Sequence, residues 1–303
     1  WLEEKTNDQP LFEDVRDSER MYVEPVVNGG YMKGYGDARF GADDYVTCNQ
    51  LLKTFVCILG AEQLAERLGG YPNGYRDAAR KAGILSSGTD GGESYAKRID
   101  VANIIYDAMH AEVFQLKAMA DGEQIFDVAD GETFLTETLN IYCDEGIIEE
   151  NGVTSLNRIG GAGDKNIRIG DRVYSDSNYI TEGMLGYSVK IYYLKSKNSA
   201  DEILYAEESN KNKTVIVNDE DILNVSENAV TYYESTGSKQ HTKTIGISNV
   251  ADMIYNGLAT EFKAERIKAE NGDVKFIDNN GDGKYDVVSI MNYKTAVADR
   301  VNI

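Results

Sequence analysis

Apolar positions in the first third of the chain recur at helical spacing. Leu51, Phe55, Ile58 and Leu59 form one stripe, and Val101, Ile105, Ala108 and Met109 repeat it 50 positions later. Upstream of each stripe, residues 22–32 and 75–85 read as short helices closed by Gly30 and Gly83, where a left-handed cap favours glycine. These first helices are offset by 53, so the joining loop is three residues shorter in the second copy. A helix–loop–helix unit is therefore expected twice, at about 12–60 and 70–114. Near Ala120 the texture changes. Val189, Ile191 and Tyr193 alternate with Ser188, Lys190 and Tyr192, the period of a half-buried strand. Similar runs stand at 203–205, 215–217, 230–233 and 244–247, with Asn-Gly turns at 151–152, 256–257 and 271–272. The pattern predicts an α+β chain. An all-α pair of repeats fills residues 1–118, and a mostly β sandwich or barrel, entered by a short helix near 132–139, fills 119–303.

Composition narrows the partners. The chain has 303 residues, 42% of them hydrophobic, which is enough for two globular domains. It holds no apolar run long enough to span a bilayer. Asp and Glu number 51 against 31 Lys and Arg, a net charge of −20 that repels phosphate backbones and attracts cations. Nucleic acid is therefore excluded as an expected partner. Cys48, Cys57 and Cys143 are an odd set. Cys48 and Cys57 fall on nearly opposite faces of one helix and are not expected to bridge. The sequence opens on Trp1 without a charged leader or an apolar signal core, so such a segment either has been removed or lies outside it.

The loop residues carry a resemblance. Phe12-Glu13-Asp14-Val15 precedes the first helix, Gly34-Tyr35-Gly36-Asp37-Ala38-Arg39-Phe40 follows it, and Asp43-Asp44-Tyr45-Val46-Thr47 opens the next, with Thr47 as N-cap. This order resembles the S-layer homology repeat of bacterial surface proteins: F-x-D-V, helix, G-Y-x-D-G-T-F, then I-T-R-A-E. The second copy, from Gly70-Tyr71-Pro72 to Lys97-Arg98-Ile99-Asp100, is similar to the more divergent repeat of the same proteins. The resemblance implies an extracellular location on a bacterial surface and a secondary cell-wall polysaccharide as partner. A carboxylated sugar is met by a guanidinium and by amides at a helix start. Cys48 and Gln50 stand where the first copy of the family pattern has arginine and glutamate, whereas the second copy keeps Arg98 and Asp100. Glycan contact is thus implied at Arg98 and Asp100, with Asp37 in the first loop. The bland alternative is a helical module that keeps the fold and has lost the site.

A second signal lies at residues 276–288. Asp278, Asn280 and Asp282 offer side-chain oxygens at alternate positions, Lys284 offers its carbonyl, and Asp286 offers a further carboxylate. Such spacing suits Ca2+ held between two strands, because Ser289 replaces the closing Glu of an EF-hand and both flanks read as strands. The alternative is an Asn/Asp/Gly hairpin facing water. The glycine-rich stretch 160–165 lacks phosphate-loop spacing, and two histidines with no G-x-S-x-G or H-E-x-x-H leave hydrolysis without a motif. The expected function is that of a non-catalytic structural or anchoring protein of an S-layer or cell envelope, able to assemble with its own copies. The competing expectation is an accessory carbohydrate-binding module of a larger secreted glycan-active enzyme.

Overall fold

The computed structural model describes residues 11–85, 92–120, 123–236, 239–268 and 271–294. The chain is α+β and divides into two compact units, Trp1–Asn140 and Ile141–Ile303.

The first unit contains α1 (Asp17–Asn28), α2 (Cys48–Ile58), α3 (Glu62–Arg67), α4 (Asn73–Lys81) and α5 (Arg98–His110). An antiparallel hairpin follows, β1 (Glu112–Ala120) and β2 (Glu123–Thr133), and then the single turn α6 (Phe134–Glu137). The expected all-α pair therefore needs correction, since a two-stranded sheet completes this unit. Gly30 and Gly83 close α1 and α4 with φ of 75° and 76°, a region that side chains with a Cβ avoid. A capping box starts α2 at Thr47 with Gln50, and at the start of α5 the Asp100 carboxylate accepts from the Lys97 amide. The buried stripes do not repeat at the same interval. Leu52 and Val56 of α2 and Leu59 just after it are fully buried, but the residue 50 positions after Leu52 is the exposed Ala102. Ile104 and Ala108 are the residues α5 buries. Two positions turn a helix by about 200°, so α2 and α5 present different faces to their core. That core also takes Ala61, Ala65, Tyr75, Ala78, Ile84 and Phe114.

The second unit begins as a closed five-stranded barrel. Its strands are β3 (Ile141–Glu150), β4 (Asn166–Ile169), β5 (Arg172–Ser175), β6 (Ser188–Leu194) and β7 (Asp201–Glu208), in the order β3-β4-β5-β7-β6. All pairs are antiparallel except β5 with β7. Val189, Ile191 and Tyr193 of β6 point inward, to Ile148, Ile167, Ile169, Tyr174 and Ile203. The exposed Arg172 lies over two tyrosines of this interior. Its guanidinium lies 4.9 Å from the ring centroids of both Tyr174 and Tyr193, and it donates to the Tyr193 hydroxyl and to Asp201 at 2.8 Å. Tyr174 in turn donates its hydroxyl to Asp144.

A seven-stranded sheet follows: β8 (Lys213–Asn218), β9 (Ile222–Ser226), β10 (Ala229–Thr236), β11 (Lys239–Tyr255), β12 (Leu258–Thr260), β13 (Gly272–Asp278) and β14 (Lys284–Asn292). The order is β8-β13-β14-β11-β10-β9, with β12 paired to β11 and with β11 and β14 parallel. Its central strands are buried on both faces. Met253, Phe276 and Val288 enter one core, while their neighbours Ile254, Ile277 and Val287 join the barrel's core. Among the described residues no helix is long and apolar enough to cross a membrane.

Candidate functional site

The first unit holds a groove of about 380 Å³ between the α1–α2 loop, α2 and Tyr71. The residues of the surface-repeat resemblance shape this loop. Phe12 packs on Phe40 with ring centroids 5.4 Å apart. Asp14 accepts hydrogen bonds from the amides of Phe40 at 2.8 Å and Gly41 at 2.7 Å. Those bonds hold the Asp14 carboxyl below its usual pKa range. Gly34 is required by close approach, because a Cβ there would stand 2.4 Å from the Phe12 ring and 2.5 Å from the Arg39 carbonyl.

The start of α2 forms the next wall. The Thr47 hydroxyl accepts from the Gln50 amide at 3.3 Å, and the Gln50 side chain accepts from the Thr47 amide at 2.8 Å. Residues 92–96 run alongside. Cys48 donates its amide to Ser94 at 3.0 Å, and Ala96 donates to Val46 at 2.9 Å. Asn49 is 4% exposed and donates its side-chain amide to Glu93 at 2.8 Å.

Four tyrosines line the groove: Tyr31, Tyr35, Tyr45 and Tyr71. Tyr45 is 81% exposed and lies 5.4 Å from Tyr95 by ring centroids. Lys33 and Lys53 are the groove's cations, and Asp44 and Glu62 are its acids. Lys53 stands 5.6 Å from the ring centroids of both Tyr71 and Tyr75. Burial, with the charge of Glu93, raises the Tyr71 phenol above its ordinary pKa, and a hydrogen bond with Thr47 opposes the rise. Such walls can stack on sugar rings while the ammoniums meet a carboxylate.

The residues singled out from the sequence lie apart from this lining. Arg98 is the exposed first residue of α5. The Asp100 carboxylate accepts from the Lys97 amide at 3.0 Å, so it serves the helix cap. Asp37 sits in an exposed turn, and none of the three lines the groove. Cys48, at the start of α2, is 3% exposed. Spacing alone does not sort the groove's four tyrosines from the chain's 20.

The acidic loop joins β13 to β14. Asp278 is 1% exposed, and its carboxylate accepts from the amides of Gly281 at 2.6 Å, Gly283 at 3.0 Å and Asn280 at 3.3 Å. Asn280 accepts from the Asp282 amide at 2.8 Å, and Asp282 accepts from the Lys284 amide at 2.8 Å. Asp286 accepts from Asn279 and from the Asn280 side chain. Burial raises the Asp286 carboxyl above the ordinary range, and the Asp282 and Asp278 charges add to the rise. Gly281 and Gly283 turn the loop with φ of 79° and 88°. Among the described residues, no group of three or more His, Cys, Asp or Glu is placed to hold a metal ion. No family model, curated protein or solved structure matches the chain.

Proposed function

We propose that the chain is a non-catalytic component of a bacterial cell surface that takes up an acidic wall polysaccharide in its first unit. The carrying observation is the groove walled by Tyr31, Tyr35, Tyr45 and Tyr71 and equipped with Lys33 and Lys53. Tyrosine faces suit sugar rings, and ammoniums suit the carboxylate of a substituted glycan. The loop and helix-cap residues shared with S-layer homology repeats support the same reading. In this proposal Arg98, at the start of α5, is an additional contact for a glycan longer than the groove. The β-rich unit serves assembly or display on the extracellular face.

Retention on purified sacculi, with and without their secondary polysaccharide, tests the reading. Tyr45→Ala and Lys33→Ala are expected to weaken retention by about tenfold each, the first through a lost aromatic stack and the second through a lost charge-assisted contact. Both side chains are exposed, so thermal unfolding should not move. Undiminished retention in both variants refutes the groove. Retention that falls only in Arg98→Ala moves the site to α5.

Calcium at the 278–286 loop belongs to the same proposal. Asp278, Asn280, Asp282 and Asp286 supply hard oxygen donors, with the Lys284 carbonyl beside them. Burial first, and then the charges of Asp282 and Asp278, raise the Asp286 carboxyl, and a divalent cation relieves the repulsion among these acids. Calorimetric titration with calcium, against magnesium and against Asp282→Ala, is the check. Absence of binding at millimolar calcium leaves the loop an ordinary acidic hairpin.

A further inference from the structure

The β-rich unit contains a second cavity, of about 550 Å³, between the barrel and the central strands of its sheet. Its size falls in the range of about 300–1,000 Å³ typical of small-molecule pockets. Ile148, Leu185, Ile254 and Ile277 give it an apolar lining, all four belonging to the buried core of the unit.

Two lysines also line it, Lys165 from the β3–β4 loop and Lys275 from β13. Each ammonium stands over a tyrosine that lines the same cavity. Lys165 is 5.7 Å from the Tyr179 centroid, and Lys275 is 5.8 Å from that of Tyr187. In a chain with 51 acids and 31 basic residues, neither lysine forms an ion pair among the described residues. The nearby acids do not change this. Asp176 is 5% exposed, and its carboxylate accepts from the Ile180 amide at 2.7 Å and from the Thr181 amide and hydroxyl at 2.9 and 2.6 Å. It fixes the loop that carries Tyr179. Asp164 and Glu182 also line the cavity; both are exposed, and neither pairs with either lysine among the described residues.

The backbone adds an independent observation. Lys165 and Tyr179, the two members of one cation–aromatic pair, both take left-handed φ, 55° and 56°. Non-glycine residues hold that conformation at a cost and persist in it where surrounding structure fixes them, often at ligand sites.

We propose that this cavity binds a small organic anion: a carboxylate on an apolar body of about two fused rings. The apolar body lies on the isoleucine and leucine lining and against the tyrosine faces. The carboxylate meets the ammoniums of Lys165 and Lys275, which form no ion pair among the described residues. The site is in the second unit and stands or falls independently of the glycan groove.

Isothermal titration of the full chain with 2-naphthoate tests the proposal, with neutral 2-naphthalenemethanol as the matched control. The expected result is saturable binding of naphthoate, at least tenfold tighter than the alcohol and weakened by salt. Lys165→Ala/Lys275→Ala, on exposed and half-buried positions, should bind the two compounds equally. Ser289→Trp, which fills the cavity, should bind neither, with circular dichroism and thermal unfolding reporting the fold. No naphthoate binding at millimolar concentration overturns the proposal. Equal affinity for the alcohol, or a double lysine variant that keeps its preference for naphthoate, also overturns it.

Discussion

Replacing Asp278 by alanine isolates what holds the β13–β14 hairpin together. Its buried carboxylate accepts from the Gly281 and Gly283 amides at 2.6 and 3.0 Å, with a longer third contact at Asn280 of 3.3 Å. An amide deprived of a charged acceptor costs about 1–3 kcal/mol. Gly281 and Gly283 are exposed residues that water can reach, so the lower end applies to each. Two such losses give about 2–3 kcal/mol. Both glycines have left-handed φ, and the alanine variant frees that turn as well. For a unit of this size each kcal/mol moves the midpoint by about 2–4 °C, so Asp278→Ala should unfold about 4–12 °C lower. Asp278→Asn keeps one acceptor oxygen and should lose about half as much. Thermal and urea unfolding followed by tyrosine fluorescence, first in EDTA, separates these bonds from any cation. Added calcium at tenfold its dissociation constant should then raise the parent by about 1.4 kcal/mol and the alanine variant not at all. A loss below about 0.5 kcal/mol in EDTA refutes the reasoning, because water would then replace the carboxylate at no cost.

Three further outcomes are expected. Phe276→Ala, at a fully buried position, should cost about 3–5 kcal/mol in urea unfolding, and a loss under about 1 kcal/mol would mean the core collapses around the gap. In an NMR titration of the carboxyl carbons, Asp14 should titrate below 3.8 and Asp286 above it. Asp14 has a depressed folded pKa, so its contribution is present above 3.8 and lost as pH falls through the folded value; Asp286 has a raised one, so its contribution is present below 3.8 and lost as pH rises. Reversed order in the titration sinks both assignments. Burial pushes the Cys57 thiol up to about 11, and Cys48 is buried, so a thiol reagent at pH 8 should find one fast site per chain, the exposed Cys143. Two fast equivalents contradict this.

The strands of the second unit were legible where one face is buried. Val189, Ile191 and Tyr193 alternate in sequence and enter the barrel together. The Asn-Gly at 256–257 turns β11 into β12 with φ of 47° and 81°, as two-residue hairpins require. The β1–β2 hairpin was not legible. Residues 115–120 read Gln-Leu-Lys-Ala-Met-Ala, all good helix formers, and only pairing with β2 makes them a strand. Closure of the barrel was equally hidden, since it rests on the parallel contact of β5 with β7, which leaves no local pattern. At the groove, the sequence motif contains Phe12, Asp14 and Gly34, but their packing and hydrogen bonds are visible only in the fold. The groove's tyrosines come together only once the loop is folded against α2.

The position of β13 and β14 within their sheet bears on how the chain leaves the ribosome. These strands are near the end of the sequence yet sit in the middle of the sheet, between β8 and β11. During vectorial synthesis β8 emerges long before the partner that covers it. Until residues 272–292 are extruded, β8 and the β14-facing side of β11 present unpaired backbone. The nascent β-rich unit is thus at its most adhesive just before residues 272–292 emerge, a window in which crowding of nascent chains favours pairing with the wrong strand.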